Sequence, residues 1–308
     1  MRDFFTDFSI INDKTGEIVC GLTQKQIKSL DSTVIGKAHY KGIHKGSLVG
    51  ESLEEYGLND YFHYIFFNTE MAKLDKYLFR VLRLGTFATY NTGDHCYLKT
   101  KNGLSMNRKL LKEIVFVGLE ESDCKRTIRY MYDNKIIIED KDNNCMYINK
   151  KYIIKGHVKQ KFINEELVDS MTRVFNKTIN ELYEQTPPKK HKNLDVLIKC
   201  IPYINRNLNV ICSLDEVNET DISRIHPISM AELSEMLGMG YKHGTKLSNI
   251  LFSIKLNGVN LVGVFKTGIG ESRRELIKIN PILFYKGNSE EEYKKLIGDF
   301  GVKPNRRP

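Results

Sequence analysis

The sequence predicts an α+β fold, mainly α, in which a unit of helices closed by a short β-hairpin occurs twice behind an N-terminal hairpin and arm. Three observations predict it. Within 118–156 the apolar period changes from helical to strand-like. Leu119, Cys124, Ile128 and Met131 share one helical face with Lys125, Arg126 and Arg129 pointing away, and Ile136–Ile138 and Met146–Ile148 then read as strands around a polar turn at 140–144. Next, Pro187 and Pro188 with the charge run Lys189-Lys190-His191-Lys192 read as a linker, after which the same order of elements begins again. Lastly, both units close on a strand ending in Asn with Lys-Gly beyond it: Asn149 to Lys155-Gly156, and Asn280 to Lys286-Gly287. A helix with a cationic outer face followed by a hairpin is the outline of a winged helix-turn-helix, whose helix enters a DNA major groove while the hairpin lies against the backbone. The expectation is therefore two tandem winged helix-turn-helix domains joined by a long helix and a short proline-containing linker.

Taken in order, Phe8–Cys20 reads as a hairpin around Asn12–Gly16, and 24–55 as a glycine-spaced basic stretch, a solvated loop or an arm able to touch phosphate. The expected domain boundaries are 1–60 for the hairpin and basic arm, 61–163 for the first winged domain, 164–193 for the connecting helix and linker, 194–303 for the second winged domain and 304–308 for a basic tail. In the first domain, 61–67 is an aromatic strand and Met71–Ala88 a helix. A short strand at 97–99 and a turn at Gly103 follow, then a helix capped by Ser105 that carries Leu110, Leu111 and Ile114. Asn164–Glu184 reads as one amphipathic helix through Leu167, Met171, Val174, Phe175, Ile179 and Leu182, which either packs on its own domain or forms a homodimer contact through 164–184. Beyond the linker come a helix at 194–205, a strand at 209–214, an acidic insertion at 215–227, a Ser229-capped helix, a third helix over 241–256, and strands at 261–265 and 273–279 joined by Gly268-Ile269-Gly270.

The 308 residues carry 47 Lys and Arg against 38 Asp and Glu, a formal charge of +9 that favours a polyanionic partner, nucleic acid before an anionic membrane surface. Six scattered cysteines without a Cys-x-x-Cys pair suit buried thiols in a reducing compartment and argue against zinc. The N-terminus lacks a signal-peptide core and no run of about 18 apolar residues occurs, so a cytoplasmic location without a membrane partner is expected. No Gly-x-x-x-x-Gly-Lys-Ser/Thr loop is present, none of the eight histidines supplies the paired metal ligands of a nicking enzyme, and the carboxylates lack a nuclease grouping. Neither an enzyme, a cofactor nor a metal is expected.

The candidate DNA-contacting residues lie on the two third-helix faces and their wings. In the first unit they are Glu121, Ser122, Lys125, Arg126 and Arg129, with Lys141 at the hairpin turn. In the second they are Tyr241, Lys242, His243, Lys246 and Asn249, with Lys266, Arg273 and Arg274 on the wing, where Glu271 is the one acid expected nearby. Arginine and lysine fit guanine or phosphate, asparagine fits adenine, and a glutamate can accept from cytosine N4. Glu120, Glu121 and Asp123 make the start of the first helix acidic. That suits either a cytosine contact or a domain facing something other than DNA.

The N-terminal half, roughly 8–157, resembles the replication-initiation proteins of Firmicute plasmids of the RepL-like kind. The likeness lies in Thr15-Gly16-Glu17-Ile18, the helix from Met71, Arg126-Thr127-Ile128, and Met146–Asn149 with Lys155-Gly156. The second copy is similar to the tandem winged-helix layout of other plasmid and phage initiators. The resemblance implies origin binding and recruitment of host replication proteins or a polymerase, with no chemistry performed by this chain. The function expected is sequence-specific binding of double-stranded DNA by a plasmid or phage replication initiator. A winged-helix transcription regulator is the alternative within that class, and a protein–protein adaptor for a polymerase or replisome subunit the alternative outside it.

Overall fold

A computed structural model describes residues 8–11, 18–22, 62–67, 69–90, 96–140, 145–156, 171–267, 274–287 and 290–301. Backbone contacts divide the chain into two compact units, Met1–Leu48 and Val49–Pro308. In the first, strands β1 (Phe8–Ile11) and β2 (Ile18–Leu22) form the expected antiparallel hairpin, with a register irregularity between Ile10 and Ile11. Its Asn12–Gly16 turn, the basic stretch 24–55 and the tail 304–308 lie outside the described residues.

The second unit is built on a four-stranded antiparallel sheet. Two central strands, β3 (Phe62–Phe66) and β8 (Met171–Phe175), pair with Tyr64 opposite Arg173, Phe62 opposite Phe175 and Phe66 opposite Met171. That register is self-symmetric, because exchanging the strands leaves the pairs unchanged. The edges repeat the symmetry: β7 (Ile153–Ile154) pairs with Tyr64 and Ile65 of β3, and β13 (Phe284–Tyr285) pairs with Arg173 and Val174 of β8. Each central strand thus opens one repeat and takes back that repeat's closing strand, which explains why the Asn-to-Lys-Gly endings recur. His63, Ile65 and Val174 are buried, and His63 Nδ1 lies 2.7 Å from Asn176 Oδ1 at the start of the helix that follows β8.

From β3 the first repeat runs through α1 (Thr69–Ala72), α2 (Leu78–Gly85), β4 (Cys96–Tyr97), α3 (Arg108–Leu110, continued by a π-turn over Leu111–Val115), α4 (Glu121–Asp133) and the hairpin β5 (Ile137–Asp140) and β6 (Cys145–Ile148). From β8 the second runs through α5 (Asn176–Gln185), α6 (His191–Lys199), α7 (Met230–Met236), α8 (Gly244–Phe252), a small hairpin β9 (Lys255–Leu256) and β10 (Val259–Asn260), and the longer hairpin β11 (Val262–Thr267) and β12 (Arg274–Ile279). The chain ends its described part in α9 (Glu290–Asp299). Each long hairpin has a third segment at its base. β4 pairs with β6 through Cys96 and Ile148, and 209–211 lies on β12 through Ile211 N–H to Ile277 O at 2.8 Å and Ile279 N–H to Asn209 O at 3.0 Å. The expected strand at 209–214 is reduced to these bridging residues.

Several expectations are corrected. Residues 171–175 are strand, not the middle of a helix over Asn164–Glu184. Met171, Val174 and Phe175 satisfy helical spacing, but the β-branched and aromatic run is consumed by the sheet. Among the described residues of that span the helix is Asn176–Gln185, and its Ile179, Leu182 and Tyr183 are buried in this chain's own core, while 164–170 lie outside the described residues. At the short proline-containing linker, Pro187 follows the Thr186 C-cap of α5, and Pro188–Lys190 is a 3₁₀ turn leading straight into α6. Met71–Ala88 is broken at 73–77, where Tyr77 has φ 62°. The break is fastened from α6, whose Asp195 carboxylate accepts the Tyr77 N–H at 3.0 Å and the Phe79 N–H at 2.7 Å. The cap of α3 is Asn107, accepting from Leu110 N–H at 2.9 Å, whereas Ser105 bridges to Lys99. The helix expected over 241–256 is a 3₁₀ turn at Tyr241–His243 followed by α8. Ser229 does cap α7, in a reciprocal capping box with Glu232.

The apolar residues of both repeats form one continuous core, with a satellite cluster of Val210, Cys212, Ile225 and Leu276. Burial pushes the Cys200 and Cys212 thiols up to about 12. Among the described residues no helix is long and apolar enough to cross a membrane.

Candidate nucleic-acid interface

The two helices α4 and α8 are presented alike. A left-handed glycine precedes each, Gly118 at φ 87° and Gly238 at φ 71°, letting the chain reverse after α3 and α7 where a side chain would be strained. Exposure then follows one pattern position for position: 121, 122, 125, 126 and 129 are exposed, as are 241, 242, 245, 246 and 249, while 124 and 127 are buried like 244 and 247. Every candidate on the two helices therefore lies on the outward face, except that His243 is half-buried. Thr245 belongs to this face and was not singled out by sequence reasoning, because its single hydroxyl carries no charge to draw attention.

The faces differ in charge balance. On α4 each cation has an acid: Lys125 Nζ lies 3.2 Å from Glu121 Oε1, Arg126 Nη2 3.6 Å from Asp123 Oδ1, and Arg129 Nε 3.7 Å from Asp133 Oδ2. Glu121 also takes Lys112 of the preceding turn at 3.1 Å, and the Lys112 and Lys125 hydrogen bonds hold its carboxyl below the usual range. The four-apart Glu121–Lys125 pair is thus formed as an ordinary helix pair. Asp123 is not part of an acidic outer surface. Its Oδ2 receives Nη2 of the buried Arg80 of α2 at 2.6 Å, while Arg80 Nη1 reaches Thr127 Oγ1. Arg80 chiefly, then Arg126, keeps the Asp123 carboxyl low against its partial burial.

On α8 the balance is cationic. No acid occurs between Tyr241 and Phe252, and Lys242 and Lys246 are exposed with no ion pair among the described residues. Tyr241 is 62% exposed beside them. Gly244 makes this helix sit close to α7, since a Cβ there would stand 2.9 Å from the Ala231 backbone.

The hairpins correct the sequence reading further. Lys266 is not free of acids: it faces Glu275 across β11 and β12 with 3.2 Å between Nζ and Oε1. Arg274 donates to the Ser223 carbonyl at 2.7 Å and so ties the hairpin to the 215–227 insertion. Both contacts join residues distant in sequence or opposite in a hairpin, a register that composition does not reveal. In the first hairpin Glu139 accepts from Arg108 Nε at 3.0 Å and from the Tyr132 hydroxyl at 2.6 Å, fastening the base to α3 and α4. Lys141, Arg273, Glu271 and Gly268–Gly270 lie outside the described residues.

The acids of the 215–227 insertion serve local structure. Glu216 is buried and binds His226, Glu219 accepts the Thr220 and Asp221 N–H groups at 2.8 and 2.9 Å, and Asp221 accepts the Ser223 N–H at 2.9 Å. Of these acids Glu216 is buried, while Asp215 and Asp221 remain exposed, Asp221 with Arg224 Nε 3.7 Å away.

Comparison with protein families, with curated proteins and with solved structures finds no match.

Proposed function

We propose that the protein binds double-stranded DNA in a sequence-dependent way through two winged-helix repeats, with α8 as the main contact. The observation that carries this reading is the outward face of the Tyr241–His243 turn and α8, where Lys242 and Lys246 stand without an ion pair among the described residues beside Tyr241, Thr245 and Asn249, next to a two-stranded hairpin. Unpaired lysines on an exposed helix gain by releasing counterions from phosphates, and asparagine, threonine and tyrosine are side chains that address base edges. The shared order of helices and closing hairpin, with β4 between α2 and α3 in the first repeat and the bridging residues 209–211 between α6 and α7 in the second, supports the winged-helix assignment. The resemblance to plasmid and phage initiators supports an origin-binding role within that class, in which this chain recruits other proteins and performs no chemistry itself. The balanced face of α4 favours a second reading for the first repeat alone, namely that it meets a protein partner.

Binding of the full chain to duplex DNA from its own locus, measured over a salt series, tests the proposal. Lys246→Ala should weaken binding to every sequence and reduce the slope of log K against log salt by about one unit. Lys125→Ala should change the slope less, since that lysine already has Glu121. Discrete affinity for repeats near its own gene supports an initiator or an autoregulator. Absence of duplex binding at low salt overturns the proposal in favour of a protein adaptor.

A further inference from the structure

The matched exposure of α4 and α8 allows their outward residues to be compared one by one. At about 3.6 residues per turn, position 129 falls on the row between 125 and 126, and position 249 on the row between 245 and 246. Arg129 and Asn249 therefore hold the same central place on two equivalent helix faces. Their chemistries differ. Arg129 is a fork of donors, 84% exposed, whose contact to Asp133 at 3.7 Å is a loose surface pair that competes little with a base. Asn249 is an exposed amide with no hydrogen bond among the described residues, carrying one donor and one acceptor side by side. In a major groove the arginine fork matches the O6 and N7 acceptors of guanine, whereas the amide matches the N6 donor and N7 acceptor of adenine.

The flanking residues differ in the same sense. Around Arg129 stand Lys125 and Arg126, donors that suit acceptors, each held in a surface pair by Glu121 or Asp123. Around Asn249 stand Thr245, able to pack on a thymine methyl, and Lys246.

Resting on the DNA-binding reading above, we infer that the two repeats recognise different base pairs, a G·C pair under Arg129 and an A·T pair under Asn249. The target is then an asymmetric element with one guanine-bearing and one adenine-bearing part, although the protein folds as two copies of one plan. An internally repeated protein of this kind fixes the direction in which it lies on the duplex.

Selection of duplexes from a random-sequence pool by the full-length protein, followed by binding to single-base variants of the selected site, tests this. Wild type should enrich one G·C and one A·T position, each mismatch costing on the order of 10- to 100-fold in affinity. Asn249→Arg should convert the A·T position to G·C and leave the other unchanged. Arg129→Asn should convert the G·C position to A·T, and Asn249→Ala should lose discrimination at its own position only. Both positions are exposed, and an unchanged unfolding midpoint verifies that the fold is intact. Retained sequence-dependent binding with the selected bases unchanged in both reciprocal variants overturns the inference and leaves the DNA-binding reading standing. Conversion in one variant only overturns the assignment for the other helix. Failure of wild type to enrich any duplex overturns both.

Discussion

Arg80 of α2 donates to Asp123 of α4 across 2.6 Å, a contact that links a buried guanidinium to the underside of an outward-facing helix. It fixes the rotation of α4: Asp123 and Thr127 turn inward toward Arg80, so that Glu121, Lys125 and Arg129 turn outward. A helix held only by Cys124 and Met131 would lack that polar constraint.

Arg80→Ala should therefore lower stability by about 2–3 kcal/mol, because it leaves Asp123 and Thr127 without their charged donor. Denaturant midpoints of Arg80→Ala, Asp123→Leu and the double variant Arg80→Met with Asp123→Leu measure it. The double variant should recover part of the loss, since removing both partners of a poorly solvated pair costs less than removing one.

Gly244 sets the closeness of α7 and α8. Gly244→Ala places a Cβ 2.9 Å from Ala231 Cα and N, atoms of a backbone that cannot swing aside. The expected cost is about 1–3 kcal/mol, read as a lower unfolding midpoint. The equivalent position in the first repeat is the buried Cys124, where room for a side chain exists, so Cys124→Ala should leave a small void rather than a clash. An unshifted midpoint for Gly244→Ala would mean that the helices separate without cost.

Acid should destabilise the fold. Burial chiefly lowers the imidazoles of His63 to about 3 and His191 to about 4 from 6.5. Their unfolded forms take up protons first, so their contribution is complete above pH 6.5 and is lost as pH falls toward the folded values. Asp195 works in the opposite sense: burial raises it from 3.8 to about 6, so its folded form gains a proton as pH falls through that window. Two imidazoles outweigh one carboxyl, and a net loss of roughly 2–3 kcal/mol is expected between pH 7 and pH 5. Urea midpoints at pH 7, 6 and 5 check the sign, and a midpoint that rises on acidification would contradict it.

The local plan was legible in the sequence wherever one segment carries its own instruction. The N-terminal hairpin, the aromatic strand expected at 61–67 and found at 62–66, the inward face of α4 through Cys124 and Met131, and the Ser229 cap all follow from periodicity and cap chemistry within a few residues. The repeated Asn-to-Lys-Gly ending likewise marks two equivalent units, although the strands β7 and β13 that lie within it carry no strand signal of their own in the sequence reading. What only the tertiary structure decided are the long-range pairings. Residues 171–175 could satisfy a helix or a strand, and pairing with β3 on one side and β13 on the other chose strand. The prolines at 187 and 188 mark a short linker, and the structure decides its form, a 3₁₀ turn that leads from α5 directly into α6. Charge partners were equally hidden: Asp123 belongs to Arg80, Lys266 to Glu275 and Arg274 to the Ser223 carbonyl, while Lys246 belongs to none among the described residues. A sequence states which side chains carry charge. The fold decides which of those charges meet an opposite partner inside the molecule and which are left facing outward to meet one elsewhere.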